Sequence, residues 1–101
     1  MGHLLYGMTP ERVDLDDRTL AHLQIVMSTK LRRRENFWIE FVRGAEEGGG
    51  REAIWVDHAM PLVFHYVSVH HPETDRMWIE DLVSQASDRG RVIISLSSHD
   101  A

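Results

Sequence analysis

Four histidines, His58, His65, His70 and His71, crowd one stretch of the sequence. Histidine is the commonest metal ligand and acid/base side chain near neutral pH. A metal site needs three or four donors converging on one point. His70 and His71 are adjacent, so in extended chain they point apart. No H-E-x-x-H or comparable spacing occurs. These histidines therefore read as loop and surface residues. No catalytic residue, metal ligand or cofactor is assigned, and a small histidine-based or metal-dependent enzyme ranks last among three functions.

The run Lys30-Leu31-Arg32-Arg33-Arg34 is the second candidate. Clustered cations can hold phosphates, and Trp38 nearby could stack on a base. The same cations also suit the C-terminal end of a helix, whose dipole they complement. Lys30, Arg32, Arg33, Arg34 and Trp38 are thus a candidate surface for nucleic acid or an acidic partner. The loop Gly44-Ala45-Glu46-Glu47-Gly48-Gly49-Gly50 offers glycines that could cradle phosphate. It feeds a strand and not a helix N-terminus, however, and its two glutamates would repel an anion. It reads as a flexible hairpin tip. Paired acids could hold magnesium, but Asp16 and Asp17 suit a helix cap, and Glu80 and Asp81 suit a solvated helix face.

These residues must be positioned by two helices and about five strands. His3 to Tyr6 forms a short strand, and a turn at Gly7 to Glu11 contains Pro10. Arg12 to Leu15 is a second short strand or an extended lead-in. Asp16 or Asp17 caps a helix whose apolar stripe is Leu20, Leu23, Met27 and Leu31. Asn36 to Arg43 alternates, with Phe37, Ile39 and Phe41 on one face and Trp38, Glu40 and Val42 on the other. It forms a long-tipped hairpin with Glu52 to Asp57. Leu62 to Val69 is expected as the third strand of a meander. Thr74 is expected to cap a second helix with the stripe Trp78, Leu82 and Ala86, widened by Ile79 and Val83. Gly90 ends it. Arg91 to Leu96 is a final strand, and Ser97 to Ala101 a polar tail. The fold expected is α+β: one antiparallel or mixed sheet with both helices packed on one face. Trp38, Val42, Val63 and Val67 are expected on the other face, which needs a partner.

The chain has 101 residues, 43% hydrophobic and 27% charged, which suits one globular domain. There is no cysteine, so disulfides, thiolate zinc sites and cysteine nucleophiles are excluded. A cytoplasmic protein is expected, with no membrane association, because no signal peptide and no membrane-length apolar run occurs. The net charge of -5 weighs against a protein that works mainly by gripping DNA phosphates.

The segments Leu4-Leu5-Tyr6-Gly7, Asp16-Asp17-Arg18-Thr19-Leu20-Ala21-His22-Leu23-Gln24, Lys30-Leu31-Arg32-Arg33, Gly49-Gly50-Arg51, Ile54-Trp55-Val56 and Pro61-Leu62, with Phe37, carry a resemblance. Over nearly its whole length the chain resembles a family of small actinobacterial and phage proteins of unknown function. Some of those sequences are labelled "ATP-dependent DNA ligase". A ligase needs a lysine nucleophile in a K-x-D-G setting, whereas the only lysine here, Lys30, precedes Leu31-Arg32-Arg33. The label hints at an association with DNA-repair genes or proteins, while the resemblance itself implies a bacterial or phage origin, leaves function open and carries over no catalytic residue.

The first function expected is therefore a non-enzymatic interaction module, self-associating as a homodimer, that presents an apolar and aromatic sheet face or edge to a protein partner. The alternative is a nucleic-acid-associated accessory protein that binds weakly through the Lys30 to Arg34 cluster.

Overall fold

The computed structural model describes residues 1–8 and 11–96. The polar tail expected at 97–101, and Thr9 and Pro10 of the first turn, lie outside the described residues. The fold is α+β, with two α-helices and six strands in two three-stranded sheets.

β1 (Gly2–Tyr6) and β2 (Glu11–Leu15) form an antiparallel pair, with Leu4 opposite Val13. α1 (Asp17–Arg32) follows at once. Asp16 caps it, its carboxylate accepting from the Thr19 N–H at 3.1 Å and from the Thr19 hydroxyl at 2.7 Å. β3 (Phe37–Arg43) and β4 (Arg51–Val56) make the predicted hairpin. A 3-10 turn (Ala45–Glu47) and three glycines in the left-handed region, Gly48, Gly49 and Gly50, form its tip.

β5 (Leu62–His65) departs from the expected meander. It pairs antiparallel with β1 and not with β4, so Leu62 and Phe64 face inward beside Tyr6 and Leu4. Strand order is therefore β2-β1-β5 in the first sheet. The connection containing Pro61 carries the chain away from the hairpin, and the Gly7 N–H donates to the Pro61 carbonyl at 3.1 Å. The strand also stops four residues earlier than expected. α2 (Arg76–Arg89) is capped by Asp75 and not by Thr74, because the Asp75 carboxylate reaches the N–H groups of both Met77 and Trp78. Gly90 (φ 71) closes α2, as its sequence position predicts. β6 (Arg91–Leu96) then runs parallel to β3, giving the order β4-β3-β6.

One core joins both sheets and both helices. Leu4, Val13 and Leu15 come from the first sheet, and Phe37, Ile39, Phe41, Ile54, Val56, Val92 and Ile94 from the second. Leu20, Leu23, Val26 and Met27 of α1, with Leu82 and Ala86 of α2, fill the space between. The helices do not both lie on one sheet: α1 packs on β1 and α2, and α2 packs on β6. Gly2 sits in this packing because a Cβ there would lie 2.3 Å from the His65 carbonyl oxygen and 2.7 Å from Leu20. At one end the Glu52 carboxylate accepts from Tyr6 and Arg43, each at 3.3 Å, and ties the two sheets together.

Candidate functional site

The basic run divides. α1 ends in a Schellman turn: the Arg34 N–H donates to the Leu31 carbonyl and the Glu35 N–H to the Lys30 carbonyl, each at 3.0 Å. The usual apolar contact across such a turn is replaced here by an ion pair, Lys30 Nζ to Glu35 Oε1 at 3.0 Å. Lys30 also donates to Ser87 Oγ at 2.9 Å, and its side chain is only 3% exposed. Lys30 therefore joins the C-terminal ends of the two helices, and its ammonium is not on the surface. Arg32, Arg33 and Arg34 are exposed. Arg34 occupies the left-handed position (φ 59) that glycine ordinarily fills in this turn.

Three residues later the chain enters β3, with Phe37, Ile39 and Phe41 buried and Trp38, Glu40 and Val42 on the opposite face. Hairpin register sets Trp55 opposite Trp38, and their ring centroids lie 5.1 Å apart in a tilted pair. The two side chains are 45% and 39% exposed. On the other side, parallel pairing sets Arg91 beside Trp38 and Ile93 beside Glu40. Glu40, in the middle of the face, is nearly covered because Arg51 and Arg91 reach over it, at 2.9 and 3.4 Å. Trp38, Glu40, Arg51, Ala53, Arg89 and Arg91 line a shallow depression of about 340 Å³. This face has two exposed indoles and three guanidinium groups against one carboxylate. Such a surface can stack on planar groups and pair with anions.

The expected interface set is split. Trp38 and Val42 share the outer face of the β4-β3-β6 sheet. Val63 is exposed on the other sheet, and Val67 follows the end of β5, because β5 pairs with β1. Register could have revealed Trp55 as the partner of Trp38. Arg89 and Arg91 carry no local signal, since they reach Trp38 only through a parallel pairing distant in sequence.

The histidines scatter. His58, His70 and His71 are exposed. His65 stacks on His3 across β1 and β5, with centroids 4.7 Å apart. Partial burial, then the Arg12 charge and His65, hold the His3 imidazole below its ordinary value. His22, which the sequence did not single out, is fully buried. Its Nε2 accepts from the Asp75 N–H at 2.8 Å, so its Nδ1 donates to the Arg18 carbonyl at 2.6 Å. Trp78 lies against the same ring at 4.4 Å. Among the described residues no group of three His, Asp or Glu side chains could hold a metal ion. No helix among them is long and apolar enough to cross a membrane.

The chain belongs to the family of the domain of unknown function DUF7882, which matches residues 1–96. No curated protein and no solved structure matches it.

Proposed function

We propose that this chain is a non-enzymatic interaction module whose working surface is the outer face of the β4-β3-β6 sheet, used for self-association and for docking a protein partner. The observation that carries this proposal is the side-by-side exposure of Trp38 and Trp55 on one flat face. Val42, Ala53 and Ile93 continue the apolar area, and Arg51, Arg89 and Arg91 border it. Trp and Arg are the residues that most often carry binding energy at protein interfaces. The face is favoured over the β6 edge because the Ile93 N–H already donates to Gln85 Oε1 at 3.1 Å. The cysteine-free composition favours a cytoplasmic setting.

A nucleic-acid role has one specific observation in its favour. Arg34 stands in a left-handed position that glycine would hold more cheaply. It precedes Trp38 of β3 by four positions, and beside that end of the strand Arg89 closes α2 and Arg91 opens β6. Single-stranded nucleic acid could stack on the indoles while these cations meet its phosphates. The ligase label borne by some similar actinobacterial and phage sequences would then reflect an accessory place in DNA metabolism.

Light scattering over micromolar concentrations, with a fluorescence titration of a labelled oligothymidine, separates the two roles. The expected result is a dimer that the double variant Trp38→Ala, Trp55→Ala returns to monomer, with no oligonucleotide binding below micromolar at about 0.15 M salt. A monomer throughout refutes self-association. Sub-micromolar, salt-sensitive oligonucleotide binding that Arg89→Ala with Arg91→Ala abolishes would install the nucleic-acid role instead.

A further inference from the structure

Away from the sheet face, α1 faces the irregular segment between β5 and α2 across a groove of about 680 Å³. A stretch of this length without regular structure would ordinarily be mobile on a protein surface. Here three side chains of α1 fasten it at successive points. The Asp17 carboxylate accepts from the N–H groups of Val67 and Ser68, both at 3.0 Å. Gln24 Oε1 accepts from the Tyr66 hydroxyl at 2.5 Å. His22 Nε2 accepts from the Asp75 N–H at 2.8 Å. The segment is thus held as a standing wall, and the space between it and the helix is kept open.

The lining has a definite chemistry. Ala21, Ile25, Val69 and Pro72 supply apolar surface. Hydroxyls of Ser28 and Ser68 supply donors, while the Thr29 hydroxyl already donates to the Ile25 carbonyl at 2.8 Å. Arg32 stands at the C-terminal end of α1 on the same groove, and no ion pair or hydrogen bond engages its guanidinium among the described residues. The sequence carries 16 acidic residues, yet no carboxylate is among the described residues that line this groove. An exposed, unpaired arginine over hydroxyls and an apolar floor complements an anionic head on an apolar body.

We infer that the groove between α1 and the 66–74 segment is a binding site for a small amphipathic organic anion, its acidic group on Arg32 and its apolar part against Ile25 and Pro72. This site is independent of the sheet face and stands whichever partner that face takes.

The full chain, labelled with nitrogen-15, is titrated with phenyl phosphate, with 4-phenylbutyrate and with the neutral 4-phenylbutanol while amide shifts are followed. Saturable shifts confined to Ile25 through Arg32 and Val69 through His71 are expected with one or both anions, at millimolar affinity or tighter. Response to phenyl phosphate alone identifies a phosphate ester as the natural head group. Response to phenylbutyrate alone identifies a carboxylate. Arg32→Gln should weaken the responding anion about tenfold, the order of one charge-assisted hydrogen bond. Ser28→Trp, which fills the groove and keeps the Arg32 guanidinium in the chain, should abolish the shifts. Equal response to the alcohol, an affinity unchanged by Arg32→Gln, or no localised shift up to about 10 mM would overturn the assignment.

Discussion

Replacing Lys30 by Met and, separately, by Ala tests what the buried lysine contributes. Its Nζ lies 3.0 Å from the Glu35 carboxylate, an attraction of about 5 kcal/mol at an effective dielectric of about 20. Against this stands the cost of removing an ammonium from water, itself several kcal/mol. Both partners keep access to solvent once the lysine is gone: the Glu35 side chain is 47% exposed, and Ser87 is exposed. Met preserves the length and apolar stem of the side chain and places an apolar group where a Schellman turn ordinarily has one. Lys30→Met is therefore expected to change stability by less than about 1 kcal/mol, or roughly 4–8 °C in melting temperature for a domain of this size. Lys30→Ala removes the stem as well and leaves a void between the helices, at a cost of about 2–4 kcal/mol. Urea denaturation of both variants, with circular dichroism as readout, measures the difference. If Met proves as damaging as Ala, the ion pair and not the packing holds the helix ends together, and the reasoning fails.

Leu23 and Leu82 are fully buried on the two helices, so Leu23→Ala and Leu82→Ala should each cost about 2–5 kcal/mol in denaturant unfolding. Losses below about 1 kcal/mol at both would contradict the packing described. Two backbone N–H bonds, from Val67 and Ser68, hold the Asp17 carboxyl below its ordinary value of 3.8. The contribution of Asp17 is therefore whole above that pH and lost as pH falls through the lower value of the folded state. An acid titration of stability should fall less steeply in Asp17→Asn than in the parent chain; identical slopes would show that the carboxylate does not hold the loop. Arg34→Gly should relieve the left-handed strain and raise stability by roughly 0.5–1 kcal/mol. A loss on thermal melting would instead assign the Arg34 side chain a structural contact.

Local chemistry made much of this fold readable. Asp16 before Leu20 and Leu23 marked the start of α1, and Gly90 marked the end of α2. Alternation in Phe37–Arg43 separated the buried side of β3 from the Trp38 side. Pairing was harder. Leu62 and Phe64 alternate equally well against either sheet, so their pattern could not choose between β4 and β1. The single sheet expected from sequence became two for that reason. Lys30 misled through its type, because lysine is rarely buried and its covering partner Ser87 lies on the other helix. On the candidate surface Trp38 was visible from alternation alone. The arginines around it depend on β6 coming to lie beside β3, a tertiary fact with no periodic trace in either segment.

That parallel pairing has a consequence for how the chain is made. Trp38 and its neighbour Arg91 are 53 positions apart, from 38 to 91. While the polypeptide emerges from the ribosome, β3 can join β4 almost at once, yet its other edge waits for β5, α2 and β6 to be synthesised. During that interval Ile39 and Phe41 have no β6 partner, and an unpaired hydrophobic edge invites contact with other nascent chains. Translation speed across 57–90 and chaperone occupancy of the β3–β4 hairpin should therefore govern the yield of native protein more than the intrinsic stability of the finished fold.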